Sequence, residues 1–327
     1  MIKGISVIIC CYNSVSRIKP TLEHIADQIF TQNILSEVIL IDNNSDDEIV
    51  EYAQKIWDNL GTIIPIRIIS ESQPGLSFAR DYGIKSAQYE YILFCDDDNW
   101  LAQNYLEFGY NFLESNKCVG ILGGRGEVVS DIEIPYWFSD YQRDYAVGVQ
   151  ALSSQNLTSR GFIWGAGMFL RKSIYQRIKS TNIQSKLTDR KGKSLSSGGD
   201  TEISQWFIWA DYELWYHEEL MFKHFITKER LSKDYYLKLK SAQAKSYEVI
   251  ERYMAVTRNI SKKSKEHFLK KSIRFFAYLV QLVFTNIPLT KRIQLEILKP
   301  FSRPTFDAIT ATLLNDYKRI SKAFAND

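Results

Sequence analysis

Cysteine is scarce. The 327 residues contain four, at positions 10, 11, 95 and 118, and none has the spacing of a zinc site. Three lie in or beside predicted strands, and all are expected as small buried residues of a reducing compartment. Excess charge is missing too. The formal net charge is +3, so nothing in the total demands nucleic acid and any basic surface must be local. Long apolar runs are absent. The opening MIKGISVIICCYN passes straight into a strand, without an apolar segment followed by a cleavage site, so no signal peptide and a cytoplasmic location are expected. Phe275–Ile287 is too short, and broken by Gln281, for a spanning helix, which needs about 20 residues. Glycine-rich phosphate loops are missing as well. No G-x-G-x-x-G follows the first apolar run, and no G-x-x-x-x-G-K-[ST] occurs anywhere.

What is present is an alternation of apolar runs and amphipathic stretches. Ile5–Cys11, Glu37–Ile41, Ile64–Ser70 and Tyr91–Cys95 have the length and content of buried strands. Ile18–Ile29, a segment ending near Trp57, and Ser77–Ala87 carry helical spacing between them. Strand and helix in turn imply βαβ units and a mostly parallel sheet flanked by helices. Ligands of such sheets bind beyond the carboxyl ends of the strands. Those ends are polar here: Tyr12 and Asn13 after the first, Asp42 after the second, and Asp96, Asp97 and Asp98 after the fourth. Side chains rather than a glycine loop would therefore hold a nucleotide. Tyr12 suits a base face and Asp42 suits the N3–H of uracil. The acid triplet suits Mg²⁺ or Mn²⁺ on a diphosphate, although the same acids would also serve as caps of a following helix, Leu101–Ser115.

Seven stretches, taken together and in order, resemble the inverting family-2 glycosyltransferases of GT-A type. They are SVIICCYN (6–13), VILIDNNSDD (38–47), QPGLSFARDYGI (73–84), YILFCDDDNW (91–100), FIWGAGMFLRK (162–172), SGGDTEIS (197–204) and HFITKERLSKDYY (224–236). The resemblance implies a GT-A, Rossmann-like catalytic domain over residues 1–236 and a helical C-terminal region over 237–327. It implies a nucleotide-sugar donor, with UDP the expected nucleotide, on Cys11, Tyr12, Asn13, Asp42, Arg80, Asp96 and Asp97. Mg²⁺ or Mn²⁺ is implied on Asp98 and Asp96 with His224, and a catalytic base at Asp200 with Glu202 as the adjacent candidate. The Cys10-Cys11 pair departs from the small hydroxyl residues or proline often found there, which loosens the expectation for the nucleoside.

Several features keep two readings. Arg80 is a phosphate ligand or a surface charge. Arg230 assists a diphosphate or pairs with Glu229. The aromatic stretch Ile134–Tyr145 stacks on sugars or packs locally. Val119–Leu122 and Gly126–Val129 are expected as separate strands divided by Gly123-Gly124, Phe162–Leu170 and Tyr212–Tyr216 as further strands, and Leu187–Gly199 as a mobile loop. Lys262, Lys263, Lys265, Lys270, Lys271 and Arg274 precede Phe275–Ile287, a pattern suited to an anionic membrane face carrying a lipid-linked sugar acceptor or to a packed helical bundle. Two rival functions remain: a sugar nucleotidyltransferase, whose glycine-rich basic loop after the first strand is absent, and a non-catalytic nucleotide-sugar-binding subunit.

Overall fold

A computed structural model describes residues 1–187, 189–192, 195–260, 273, 276, 277, 279, 280 and 308–325. The first four apolar runs become β1 (Ile2–Cys11), β2 (Ser36–Asp42), β3 (Ile66–Ser70) and β4 (Tyr89–Asp96). Between them lie α1 (Ile18–Ala26), α2 (Ile49–Leu60) and α3 (Leu76–Ser86). Alternation along β1 decides the two faces. Val7 and Ile9 pack with Leu22 of α1 and Trp57 of α2, whereas Ile8 packs with Ala79 and Ile84 of α3.

The rest of the chain extends this sheet through β5 (Asn99–Leu101), α4 (Tyr105–Ser115), β6 (Val119–Val129), β7 (Gln155–Asn156), β8 (Met168–Arg171), α5 (Lys172–Ser180), α6 (Gly199–Trp209) and β9 (Glu213–Phe225). Strand order is β3-β2-β1-β4-β8-β6-β9-β5, with β7 beside β9. The expected parallel pairing holds from β3 to β4. Beyond β4 the sheet is mixed: β8 runs antiparallel to β4 and β6, β6 and β9 are parallel, and β5 is antiparallel to β9.

Four local expectations change. The acid triplet does not lead into a helix; it turns into β5, and α4 starts only at Tyr105. Gly123-Gly124 does not divide two strands. It lies inside β6, where a Cβ at Gly124 would stand 1.9 Å from the Leu220 carbonyl and one at Gly123 2.3 Å from Ile163, so close packing rather than a turn requires both glycines. The strand expected over Phe162–Leu170 is confined to β8, because Gly167 has φ +65° just before it. The strand expected over Tyr212–Tyr216 continues to Phe225 past an exposed Glu218-Glu219 pair that interrupts the apolar pattern.

The described C-terminal helices pack into the core. α7 (Lys233–Ile260) begins before position 237, so that position falls inside a helix rather than between domains. Tyr253 and Val256 of α7 and Leu313, Ile320 and Phe324 of α8 (Ala308–Phe324) join the cluster that holds Phe94 and Phe207. The aromatic stretch is resolved towards packing: Phe138 and Tyr145 are buried, and Trp137, Tyr141 and Tyr145 pack around Tyr236 at ring separations of 5.8, 4.6 and 6.2 Å. No helix among the described residues is long and apolar enough to cross a membrane. Lys262 to Lys271, Arg274, Phe275 and most of the run to Ile287 lie outside the described residues; Ile273 before the run and Phe276 and Val280 within it are exposed.

Candidate active site

A cavity of about 800 Å³ opens at the carboxyl ends of β1 and β4 and gathers Cys11, Tyr12, Arg80, Asp96, Asp97, Asp98, Asp200, His224 and Arg230 along its wall. The β5–β9 ladder makes the metal-side corner. Asn99 pairs with His224 in register, and the Phe225 N–H donates to the Asp98 carbonyl at 2.8 Å. His224, far away in sequence, is thereby brought to Asp98, its Nε2 3.3 Å from one carboxylate oxygen. Arg230 donates to the other oxygen at 2.7 Å, so it pairs with Asp98 and not with its neighbour Glu229. Burial alone would raise the Asp98 carboxyl; His224 and Arg230 outweigh it and hold the group well below the ordinary carboxylate range.

The three acids have three different surroundings. Asp96 faces Arg80 at 3.6 Å. Asp97 is committed to the scaffold: Arg17 grips both its oxygens, at 3.0 and 2.6 Å, the Ser14 hydroxyl donates to it, and its carbonyl accepts from Thr21 at 3.0 Å. Asp98 alone meets an imidazole. Among the described residues no cluster of three or more His, Cys, Asp or Glu forms a ready-made metal cage. The Asp98–His224 pair nevertheless fits a divalent ion. It offers one carboxylate and one imidazole, and the buried His224 Nδ1 has no partner among the described residues. Mg²⁺ in particular is commonly held by one or two carboxylates, with substrate phosphates and waters supplying the rest.

Asp200 opens α6 and faces the cavity. Its carboxylate accepts the Gly165 N–H at 3.0 Å and the Thr201 N–H at 2.7 Å. Gly165 is where the chain passes between two functional groups: a Cβ there would be 3.0 Å from an Arg80 nitrogen and 3.2 Å from the Asp200 Cβ. Glu202, the adjacent candidate, is turned away. It is buried, bonded by the Ser185 hydroxyl, by the Lys186 N–H at 2.6 Å and by the Tyr253 hydroxyl at 2.6 Å, and it does not line the cavity. A spacing of two on a helix puts side chains on different faces, which accounts for the split.

Two other expected nucleotide ligands have local work. Asp42 accepts the Ser45 N–H at 3.0 Å, and Asn13, at φ 51°, ties the β1 loop to Ser45 and Asp46. Neither lines the cavity, whereas Cys11 and the half-exposed Tyr12 do. Of the thiols, Cys118 is exposed rather than buried, and burial pushes the Cys10 thiol up to about 12.

Sequence reasoning missed Asp189. This residue of the Leu187–Gly199 stretch is buried, and its carboxylate lies 3.4 Å from Arg80. The Arg190 carbonyl accepts the Leu76 N–H at 2.9 Å, so this part of the stretch docks on the start of α3. Arg17, Arg143 and Arg160, also unforeseen, line the same cavity. The position of Arg160 two residues before FIWGAG was the only hint.

A family model described as glycosyl transferase family 2 matches residues 6–179. The chain belongs to glycosyltransferase family 2. Over 107 residues it is 35% identical to the cholesterol galactosyltransferase of Borreliella burgdorferi, covering 33% of this chain and 28% of that protein. Over 122 residues it is 31% identical to the poly(ribitol-phosphate) beta-glucosyltransferase of Bacillus spizizenii, covering 36% of this chain and 18% of that one. Glycosyltransferase GlyG of Streptococcus pneumoniae is 31% identical over 189 residues, 54% of this chain and 60% of GlyG. The matched part therefore spans less than a third of the first two relatives and under two thirds of GlyG. The crystal structure of S. aureus TarS 1-349 superposes with a TM-score of 0.50 at 15% identity, covering 99% of this chain and 91% of TarS, a likeness of fold. The family-2 residues 6–179 contain Tyr12, Arg80 and the acid triplet; Asp200, His224 and Arg230 lie beyond them.

Proposed function

We propose that this family-2 chain transfers a sugar, with inversion, from a nucleoside diphosphate donor to a hydroxyl of a glycan or lipid-linked acceptor, in the assembly of a surface polysaccharide. The observation that carries the proposal is the placing of Asp200 in one cavity with Arg80, Asp96 and the Asp98–His224 pair. Tyr12 would cover the base of a donor, UDP being the first candidate. Arg80 and Arg230 would face its diphosphate. A divalent ion, when bound at Asp98 and His224, would neutralise charge on the leaving diphosphate.

Asp200 takes the proton from the acceptor hydroxyl. The oxygen forms its bond to the anomeric carbon while the bond from that carbon to the diphosphate oxygen breaks, and the diphosphate leaves with the electron pair. A single displacement inverts the configuration, through a transition state with oxocarbenium character by analogy with glycoside hydrolysis. The Gly165 and Thr201 N–H groups fix the carboxylate for that task.

Residues 237–260 and 308–325 would act as part of the catalytic unit, since α7 and α8 share its core. The basic residues from Lys262 to Arg274, together with exposed Ile273, Phe276 and Val280, support contact with an anionic membrane face where lipid-linked acceptors lie.

The test is turnover of a panel of sugar nucleotides with Mg²⁺ or Mn²⁺ and with EDTA, for the wild type and Asp98→Ala. Metal-dependent release of one nucleoside diphosphate, lost in Asp98→Ala, is expected. Equal turnover under EDTA, or by Asp98→Ala, would overturn the metal assignment. No turnover or binding of any sugar nucleotide would favour a different activity.

A further inference from the structure

Among the arginines that line the cavity, Arg17 is paired with Asp97, exposed Arg190 lies beside Asp189, and the other four fall into two groups. Those facing the proposed donor are balanced within the protein: Arg80 by Asp189 and Asp96, and Arg230 by Asp98. Arg143 and Arg160 are not; among the described residues neither has a carboxylate within 4 Å.

Both are nonetheless held in place by one residue. Gln150 is buried, and its side-chain nitrogen donates to the Gly124 carbonyl at 2.9 Å. Its carbonyl accepts from Arg143 at 3.1 Å and from Arg160 at 2.9 Å, and its Oε1 accepts from Arg160 at 2.6 Å. Arg160 also donates to the Phe162 carbonyl at 3.0 Å and lies 4.1 Å over the Phe162 ring. Two guanidiniums sharing one carbonyl repel. Burial, then Arg143, lowers the Arg160 pKa to about 10, and the Asp200 carboxylate offsets only part of that, so the pair carries excess positive charge beside the proposed base. The same Gln150 Oε1 accepts the Trp164 N–H at 3.1 Å, and the next N–H, from Gly165, holds Asp200. The pair is thus built into the frame that positions the proposed base.

We infer that Arg143 and Arg160 form an oxyanion subsite for the acceptor, taking a phosphate or carboxylate carried near the hydroxyl that Asp200 deprotonates. This rests on the reading of Asp200 as the base. The planar guanidinium fork matches such oxyanions, and among the described residues Arg143 donates one hydrogen bond to the protein, leaving other N–H groups for a ligand. The preferred acceptor is accordingly a phosphodiester-bearing or uronate-bearing chain rather than a neutral sugar.

The experiment titrates the full chain, with Mg²⁺ and saturating UDP, against glycerol 1-phosphate, glucuronate and glycerol, and separately titrates UDP alone, by calorimetry. The variants are Arg143→Gln, Arg160→Gln and Arg160→Lys. Wild type should take at least one of the two anions and not glycerol, and the stronger anion distinguishes a phosphate from a carboxylate acceptor. Each Gln variant should weaken that anion about tenfold, the loss of one charged hydrogen bond, while UDP affinity stays within twofold. Arg160→Lys should fall between. Should Arg160→Gln not fold, exposed Arg143 carries the same test. Equal anion binding by wild type and variants overturns the proposal, as does no anion binding by wild type. A tenfold loss of UDP affinity instead assigns the pair to the donor diphosphate and overturns it too. Arginine-dependent anion binding in a wild type that binds no nucleoside diphosphate would fail the donor reading separately and remove the basis for calling the subsite an acceptor site.

Discussion

Asp200 and Glu202 stand two positions apart on α6 and have opposite surroundings. Asp200 is partly open, with two backbone N–H groups fixing its orientation and the cavity in front of it. Glu202 is buried behind the helix among Ser185, Lys186 and Tyr253, and burial, despite those bonds, raises its carboxyl. A base must reach its proton; a buried acceptor with three donors is a fastening. Asp200→Asn should cut turnover about 10²–10⁴-fold, leaving the affinity for the donor's nucleoside diphosphate unchanged by calorimetry. Glu202→Gln should retain turnover per folded molecule but lower stability by about 1–3 kcal/mol in urea titrations, since the Gln amide cannot accept from all three donors. An active Asp200→Asn beside an inactive, fully folded Glu202→Gln would reverse the assignment. From sequence the two were neighbours in one GGDTE motif; they separate because α6 is buried nearly all round and Asp200, in its first turn, stays partly exposed at the cavity.

Elements with a clear period were legible, and the parts that depend on distant partners were not. β1, β2 and β4 announce themselves as apolar runs because both faces of a central strand are buried. β5 could not be read from Asn99-Trp100-Leu101, since three residues become a strand only through the partner β9 supplies. The meeting of Asp98 with His224 depends on that pairing, so the motif residues were visible in sequence and their contact was not. Asp189 was hidden for a related reason: it lies in a polar stretch with no period, at φ 55°, and matters only because α3 presents Arg80 opposite. The turn through Trp164-Gly165-Ala166-Gly167 makes an element-scale prediction. Gly165→Ala would push a methyl to 3.0 Å from Arg80 and 3.2 Å from the Asp200 Cβ. The arginine end can yield, whereas the Asp200 backbone is anchored in α6, so the Gly165 segment is pushed back and the N–H bond that orients the carboxylate is disturbed. Turnover should fall about tenfold, as small misplacements of catalytic groups do, with the unfolding midpoint little changed. Wild-type turnover in Gly165→Ala would show that this close approach has no bearing on the base.

At the scale of the whole molecule, the packing of α8 and the proposed membrane contact would be confused by a simple truncation. α8 returns to the core, with Leu313 and Ile320 fully buried, Phe324 under the Arg177 guanidinium at 4.3 Å, and Tyr317 against Trp209. Burying three such side chains contributes roughly 5 kcal/mol or more, a large share of a stability of ~5–15 kcal/mol. A chain ending at Ile260 should therefore unfold at far lower urea concentration or aggregate, and a midpoint equal to the full chain's would show that α8 is dispensable. Loss of membrane binding in that truncation would accordingly say nothing about membranes. The basic residues have to be neutralised within the full chain instead. Near an anionic surface each Lys contributes about 1 kcal/mol, screened by salt, so Lys262→Gln, Lys263→Gln and Lys265→Gln together should weaken binding to anionic vesicles roughly a hundredfold. Co-sedimentation with anionic and neutral vesicles at two salt concentrations reads this directly. The full chain should pellet with the anionic vesicles at low salt, less at high salt, and the triple variant with neither. Since the three lysines carry no proposed catalytic role, the triple variant should keep the wild-type turnover of sugar nucleotide in solution. Full-chain binding that ignores lipid charge and salt would leave the apolar Phe275–Ile287 run as the only basis for contact, and no binding to either vesicle would sink the membrane proposal.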